Sequence, residues 1–363
     1  MKSVIFVSYS MGIGGVEKAL LGVVNSFVKD GWNVHIALIK PEGDFLEYLP
    51  NSVFVHNIDC FEQIRPLIHT PIKKTIIDSL KKGDLLKSFW LGVCLIDSKI
   101  RGGAKLLYDY AFRIIPKDCH TYDLAVAFAG PDAFIDTYVN KCIDAKEKWG
   151  WIHFDISKFG NDKSIISRVY KSYSVINIVS KQAKDIFDKI FPKLSDRTKC
   201  TPNIIDKEMI LKMSDTVTID RPDKFIILTV GRISKEKGQL KALEALKLLI
   251  DKGVKNIQWW FVGSGNDVDR CRKYVQDNRL SEYVCFFGAQ ANPYPYMKKC
   301  DLYVQPSEHE GFCITLAEAK LFGMPIVATD FTGAREQLAD YHAYSKVIEH
   351  NAFALAEAIM EAK

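Results

Sequence analysis

The sequence predicts a two-domain α/β protein, each half built on a parallel sheet of the Rossmann-like kind. Three observations carry this reading. The chain has 363 residues, and at roughly 150 residues per domain that length is two domains. Short apolar runs alternate with amphipathic helical stretches, the pattern of a parallel sheet covered by helices. The alternation starts at Val4 and starts again at Phe225.

In the first half, Val4–Ser8 reads as a buried strand and Gly12, Gly14 and Gly15 as a turn. A helix follows with Val16, Ala19, Leu20, Val23, Val24, Phe27 and Val28 on one face, spaced at a period of 3.6. Gly31 ends it, and further strands are expected at Val34–Ile39, Val53–His56, Leu124–Phe128, Lys148–Ile152 and Val175–Val179. Residues 65–117 read as largely helical and interrupt the rhythm.

In the second half, strands are expected at Ile226–Val230, Gln258–Val262, Val284–Phe287, Leu302–Gln305 and Ile326–Ala328. Helices are expected at Gln239–Asp251, Val268–Asp277, Tyr294–Lys299, Ile314–Phe322 and Ala352–Ala362. The polar stretch Asp206–Asp223 lacks apolar periodicity and reads as the hinge. The expected domains are therefore 1–205 and 206–363, facing one another across a cleft. Ligands of such sheets sit beyond the carboxyl ends of the strands.

Composition narrows the class. Hydrophobic residues make up 48% and charged residues 26%, which excludes disorder as the main state. The net charge of +5 is too small to indicate nucleic acid, and no nucleic-acid partner is expected. Nine cysteines are scattered from Cys60 to Cys313 without a C-x-x-C pair, which excludes a zinc ribbon and argues against a secreted disulfide scaffold. The apolar run Phe89–Ile96 is less than half a membrane span, and no signal-peptide core follows Met1. A reduced, cytoplasmic protein is expected. The charge is uneven: between Arg65 and Lys117 eleven basic residues face four acids, a net +7 against −2 for the rest.

Several loops carry residues suited to chemistry. In Pro306-Ser307-Glu308-His309-Glu310-Gly311-Phe312-Cys313-Ile314 a strand ends, Gly311 turns, and a helix starts near Cys313. Helix N-termini present unpaired N–H groups that seat phosphate. Glu310 precedes that helix and Glu318 lies within it, roughly 10 Å on at 1.5 Å per residue. One could hold a sugar and the other a ribose; the alternative is a capped helix with two solvated glutamates. Gly231-Arg232 and Lys237 lie in a loop between a strand and a helix, where both cations could reach one diphosphate, unless the loop is merely basic.

The glycines Gly12, Gly14 and Gly15 spell neither G-x-G-x-x-G nor a P-loop, so a dinucleotide site is disfavoured while close approach to a phosphate stays open. His153 follows a strand end, placed for catalysis or for structure. Gly263-Ser264-Gly265 is a tight turn or a wall for a base. No metal cluster is apparent.

Taken in order, these motifs resemble the retaining group 1 glycosyltransferases of family 4, which have the two-domain GT-B fold. Glu310 and Glu318 match the family's E-x7-E, and Gly231-Arg232 with Lys237-Gly238 its G-R-x-x-x-x-K-G. Ala328-Thr329-Asp330 with Gly333 and Glu336, Gly14-Gly15-Val16-Glu17, the H-x-D of His153, and Pro202-Asn203 with Asp206 resemble further family elements.

The resemblance implies a nucleotide-sugar donor, uridine-linked, held by the second domain. It assigns Arg232 and Lys237 to the diphosphate, Glu318 to the ribose, Glu310 to the transferred sugar, and the amides of Phe312, Cys313 and Ile314 to the phosphate. His153 would bond the donor sugar, Gly14 and Gly15 would approach the phosphates, and Gly231, Gly263 and Gly311 complete the donor loops. Retention by front-face attack, with the departing phosphate taking the acceptor's proton and no metal, is implied. So is a glycan or polyprenyl-linked acceptor. No cofactor is expected beyond the donor itself.

Two departures from the family stand out. The familiar E-G-F-G reads E-G-F-C, so Cys313 narrows the phosphate pocket as packing rather than as a nucleophile. The sequence also stops at Lys363, where members usually have a further helix that crosses back to the first domain; a truncated sequence and an unusually short protein both fit, and domain closure is the property left open.

The basic stretch 65–117, with Phe89, Trp90, Leu91, Tyr108, Tyr110 and Phe112, would suit peripheral contact with an anionic inner membrane, or else be ordinary basic helices. Transfer to a surface glycan leads; an epimerase or hydrolase of the same fold, or a non-catalytic partner subunit, are the competing readings.

Overall fold

The computed structural model describes residues 1–68, 70–101, 104–158 and 163–363. Within the basic stretch, His69, Gly102, Gly103 and the side chain of Arg101 lie outside the described residues. Contacts divide the chain into two compact units: 1–12, 23–179 and 184–201 form the first, and 13–22, 180–183 and 202–363 the second.

The first unit holds a seven-stranded sheet: β1 (Ser3–Ser8), β2 (Asn33–Leu38), β3 (Phe54–Asn57), β4 (Thr121–Gly130), β5 (Asp144–Ile152), β6 (Val175–Ile178) and β7 (Thr198–Cys200). They lie in the order β3-β2-β1-β4-β5-β6-β7, all parallel. The second unit holds β8 (Phe225–Val230), β9 (Ile257–Val262), β10 (Val284–Phe286), β11 (Leu302–Gln305), β12 (Ile326–Thr329) and β13 (Ser345–Ile348). Their order is β10-β9-β8-β11-β12-β13, again all parallel.

Parallel strands covered on both sides must be apolar on both faces, and β8 shows it. Ile226, Leu228 and Val230 enter one core cluster, while Ile227 enters the other with Ala242, Leu243, Leu246 and Leu249 of the helix Gln239–Asp251. Truncating one such buried leucine to alanine costs about 2–5 kcal/mol.

Two strands escape the sequence reading, β7 and β13. Both are short, and β7 keeps all three residues part-exposed or exposed, so neither forms an apolar run. The stretch 206–223 read as a hinge contains the helix Lys207–Met213, which Asp206 caps by accepting from the Met209 amide at 3.0 Å and which buries Ile210. The units meet in sequence at Thr201 and Pro202. The helix expected at Ile314–Phe322 runs as α only over Ile314–Ala319 and tightens to a 3-10 turn over Lys320–Phe322.

Between β3 and β4 the basic stretch forms four helices, Phe61–Ile68, Ile72–Lys81, Leu85–Arg101 and Lys105–Ala111. No helix among the described residues is long and apolar enough to cross a membrane.

Candidate functional site

In an open parallel sheet the crevice lies where the strand order reverses. In the second unit that point falls between β8 and β11, paired at Leu302 with Ile227 and Tyr303 with Leu228. Gly231–Gly238 leaves the carboxyl end of β8, and Pro306–Ile314 leaves that of β11. The two loops are bonded together: the amides of Glu308 and His309 donate to the Glu236 carbonyl at 2.8 and 3.4 Å. Gly238 makes the approach feasible. Its φ is 73°, and a Cβ there would stand 1.9 Å from the Pro306 carbonyl oxygen.

That contact brings Lys237 and Glu310 together, with Nζ 2.6 Å from Oε1. Both side chains are largely shielded, at 22% and 8% exposure. Burial alone would depress the Lys237 amine, but the Glu310 carboxylate beside it carries it above its ordinary value. Glu310 is also oriented from below. Ser307 donates its hydroxyl to Oε1 at 2.8 Å, and the Gln305 amide donates to the same Ser307 oxygen at 2.8 Å. Tyr303 and Thr315 hydroxyls donate to Gln305 Oε1 at 2.7 and 3.2 Å.

Sequence reasoning singled out Glu310 and Lys237, which the structure brings together, but not this supporting chain. The polar Gln305, Ser307 and Thr315 around a strand end are the signal that pointed to it. Arg232, by contrast, is exposed and donates to Glu236 Oε1 at 2.8 Å, so in this state it does not share a partner with Lys237.

Glu318 is buried. Its Oε1 accepts from the Tyr294 hydroxyl at 2.9 Å and pairs with Lys18 Nζ at 2.7 Å within the second unit. Its Oε2 has no partner among the described residues, an oxygen whose burial is costly until something donates to it. Gly311 is buried, with its carbonyl accepting from Ser180 at 3.2 Å; Phe312 is part-buried; Ile314 is buried and opens the helix. Cys313 sits at the helix N-cap with φ 57°, in the left-handed region. Burial pushes its thiol up, so it is packing and not a thiolate.

Gly263 is a structural position. With φ 152°, its Cβ would meet the Gly231 carbonyl oxygen at 1.9 Å, and the Gly231 and Ile233 amides donate to Val262 and Ser264 at 3.0 and 2.9 Å. The loop after β9 thus braces the loop after β8. Asp330 is held bidentately by Arg335 at 3.0 and 2.8 Å. Glu336 accepts from the Lys181 and Gln182 amides at 3.1 and 3.3 Å, and the Gly333 amide donates to Gln182 at 2.8 Å.

In the first unit, His153 follows β5 with its ring 4.6 Å from Phe128. Burial lowers its pKa to about 3, opposed by a bond to the Phe128 backbone, so the ring is neutral and its Nε2 has no partner among the described residues. Close by in the chain, Asp136 is buried and held above the usual carboxylate range by burial and by Asp132; Tyr170 and Asp132 N donate to it at 3.1 and 2.9 Å. Tyr9, after β1, donates to Asp132 at 2.7 Å. Gly14 and the exposed Gly15, which group with the second unit rather than the first, lead into the helix Gly15–Lys29.

A group that the sequence reading passed over lies at the opposite end of β4: Asp118, Cys119 and His120 offer ligand atoms all within 4.8 Å. The last two are exposed, and His120 Nδ1 already lies 3.0 Å from Asp118.

Residues 216–363 match the model of the family described as Glycosyl transferases group 1. An N-acetylgalactosamine-N,N'-diacetylbacillosaminyl-diphospho-undecaprenol 4-alpha-N-acetylgalactosaminyltransferase of Campylobacter jejuni is 25% identical over 92% of this chain and 82% of its own length. A poly(glycerol-phosphate) alpha-glucosyltransferase of Bacillus subtilis is 26% identical over 57% of this chain, and an uncharacterized glycosyltransferase of Methanocaldococcus jannaschii 26% over 49%. The chain spans only 30% and 47% of the length of those two relatives.

Among solved structures, HepE of Anabaena in complex with UDP and glucose aligns with a TM-score of 0.67 at 17% identity, over 99% of this chain and 89% of its own. TarM of S. aureus, solved with Fondaparinux, alpha-GlcNAc-glycerol and UDP, aligns at 0.68 and 14%, over 100% and 92%. The likeness establishes the GT-B fold. Residues 216–363, with these loops standing in order at the carboxyl ends of the second sheet, match the group 1 glycosyltransferases.

Proposed function

We propose that this protein is a retaining glycosyltransferase of the family 4 type. It would move a hexose or N-acetylhexosamine from a uridine diphosphate sugar to a glycan or lipid-linked acceptor in bacterial surface polysaccharide synthesis. The work would be done at the cytoplasmic face of the membrane and without a metal. The observation that carries the reading is the Lys237–Glu310 pair at 2.6 Å, held between the ends of β8 and β11.

A shielded cation and carboxylate that pair with each other exchange partners readily when a ligand offers both an anion and hydroxyls. A sugar diphosphate does. Lys237 and Arg232 then neutralise the diphosphate, Glu310 accepts from sugar hydroxyls, and the orphan Oε2 of Glu318 accepts from ribose. The bond from the anomeric carbon to the diphosphate oxygen breaks while the acceptor oxygen bonds that carbon on the same face. The acceptor's proton passes to the departing diphosphate. The alpha linkages in the names of the Campylobacter and Bacillus relatives, and the UDP bound in HepE and TarM, support the retaining mechanism and the uridine base.

The experiment is a thermal-shift panel of UDP, GDP, ADP and CMP against wild type and Glu318→Ala, followed by product analysis with donor sugar. A ligand at 100 times its Kd adds about 2.7 kcal/mol, a shift of a few degrees. Stabilisation by UDP that is lost in the variant is expected. A shift by none of them ends the donor-site reading in favour of a partner subunit, and donor consumed without any acceptor points to an epimerase or hydrolase.

A further inference from the structure

The helices Ile72–Lys81 and Leu85–Arg101 form a hairpin through Lys82, Gly83 and Asp84, and its burial pattern is inside out. In water a helix hides its large apolar side chains and shows its polar ones. Here the buried positions of the first helix are Thr75 and Ser79, and Ser88 is buried on the second alongside Leu91 and Cys94. Large apolar side chains point outward instead: Ile77, Leu80, Leu85, Leu86, Phe89, Trp90, Ile96 and Ile100. These are eight of the twenty large hydrophobics exposed among the described residues, so the patch is local and not a general surface property. Leu86 is 72% exposed, Phe89 64% and Ile100 77%.

The exposed side chains are also ordered. At 3.6 residues per turn, Leu85, Phe89, Ile96 and Ile100 fall within about 60° of one another, a stripe roughly 22 Å long. Leu91 and Cys94 lie on the opposite side and enter the core. A helix apolar on both sides, with small hydroxyl residues turned toward its neighbour, is what a lipid-facing hairpin looks like.

The charge chooses between occupants. Lys73, Lys74, Lys81, Lys82 and Lys99 are exposed on the same hairpin. A second copy packed on the stripe would bring these lysines against its own, a repulsive arrangement. An anionic lipid surface accepts the apolar stripe in its acyl boundary and the lysines among its headgroups.

We infer that the hairpin 72–101 lies flat in the headgroup–acyl boundary of an anionic membrane, with the stripe Leu85, Phe89, Ile96 and Ile100 immersed. This deepens the reading of a membrane-borne acceptor and rests on it only for its biological purpose, because lipid binding is measurable without donor or acceptor.

The test is sedimentation of the full chain with vesicles of phosphatidylcholine alone or mixed with phosphatidylglycerol. It uses the wild type, the double variant Leu85→Ser/Phe89→Ser, and a second double variant Ile96→Ser/Ile100→Ser farther along the stripe. All four side chains are exposed in water, so both variants should melt like wild type and keep the UDP-induced shift. Wild type should bind the anionic vesicles, more weakly as salt rises, and each double variant should lose at least tenfold in partitioning. Equal binding by wild type and both variants, or no binding by wild type, overturns the inference. So does a wild-type dimer in light scattering that the variants convert to monomer. A retained UDP shift alongside any of these failures leaves the transfer reading standing.

Discussion

The carboxyl ends of the two sheets are chemically unlike. In the second unit they carry charged residues in ion pairs: Lys237 with Glu310, Arg232 with Glu236, and Glu318 with Lys18. In the first unit they carry a neutral imidazole at His153 and, nearby, Asp136, whose carboxyl burial and Asp132 hold above the usual carboxylate range and which is tied to Tyr170 and Tyr173. A polyanionic donor fits the first set, where cations can trade partners. Neutral hydroxyls fit the second, where lone pairs and O–H groups stand with little net charge.

The largest expected effect breaks the charged set. Lys237→Ala removes the cation, and Glu310→Gln keeps the Ser307 hydrogen bond while removing the carboxylate charge. Each should lower kcat/KM for sugar transfer roughly 100- to 1,000-fold, the scale of losing one preorganised charged contact in a shielded site. Because the two pair with each other, the double variant should lose much less than the product of the singles. Additive losses would mean that they act on the donor independently.

Gly263→Ala tests the frame beneath that set rather than its chemistry. The new Cβ meets the Gly231 carbonyl oxygen and must hold a φ that only glycine adopts easily. A loss of about 2–4 kcal/mol in urea unfolding is expected, with donor affinity falling because the loop after β8 moves. An unchanged midpoint would show the turn free to relax, and Gly263 would return to being a wall of the ligand site.

The neutral set makes its own prediction. His153 titrates near 6.5 when unfolded and near 3 when folded, so between those values the unfolded chain binds the extra proton. Stability therefore rises with pH across that window, by up to about 1.4 kcal/mol per unit, and the slope vanishes above and below it. Asp136 has the opposite sign: its raised carboxyl favours the folded state at low pH and costs stability as pH rises past its unfolded value. The comparison of wild type with His153→Phe separates the two. A flatter acid limb in the variant is expected; identical limbs would mean that His153 is not held neutral.

Much of this was legible in the sequence. The strand runs Val4–Ser8 and Ile226–Val230 and the glycine-punctuated loops after them gave the fold, because a parallel sheet writes its buried strands as uninterrupted apolar runs. Glu310, Glu318, Arg232 and Lys237 were singled out because charged residues near strand ends are conspicuous. Their partners were not. That Lys237 meets Glu310 and Arg232 meets Glu236 depends on Gly238 letting two loops touch, which is a tertiary event. The hairpin was legible only in part: the count of lysines over 65–117 could be read, but periodicity does not say which of two apolar faces turns inward. Leu91 and Phe89 look alike until the core claims one of them.

Cys313 is where the smallest effect is expected and where the charged set can be sharpened. The position has φ 57°, which costs a side-chain-bearing residue roughly 1–2 kcal/mol, and the familiar family pattern has glycine there. Cys313→Gly relieves that strain but loses a buried thiol that packs beside Leu316 and Tyr303, worth a similar amount, and adds freedom to the unfolded chain. The net change in stability should stay within about 1 kcal/mol. Donor binding is the informative readout, since Cys313 is the N-cap of the helix that Ile314 opens. If it merely fills space, removing it leaves KM for the donor unchanged or lower. A rise in KM of tenfold or more at unchanged stability would mean that the sulfur shapes the phosphate seat in this protein, and that the departure from glycine is a feature of how it chooses its donor.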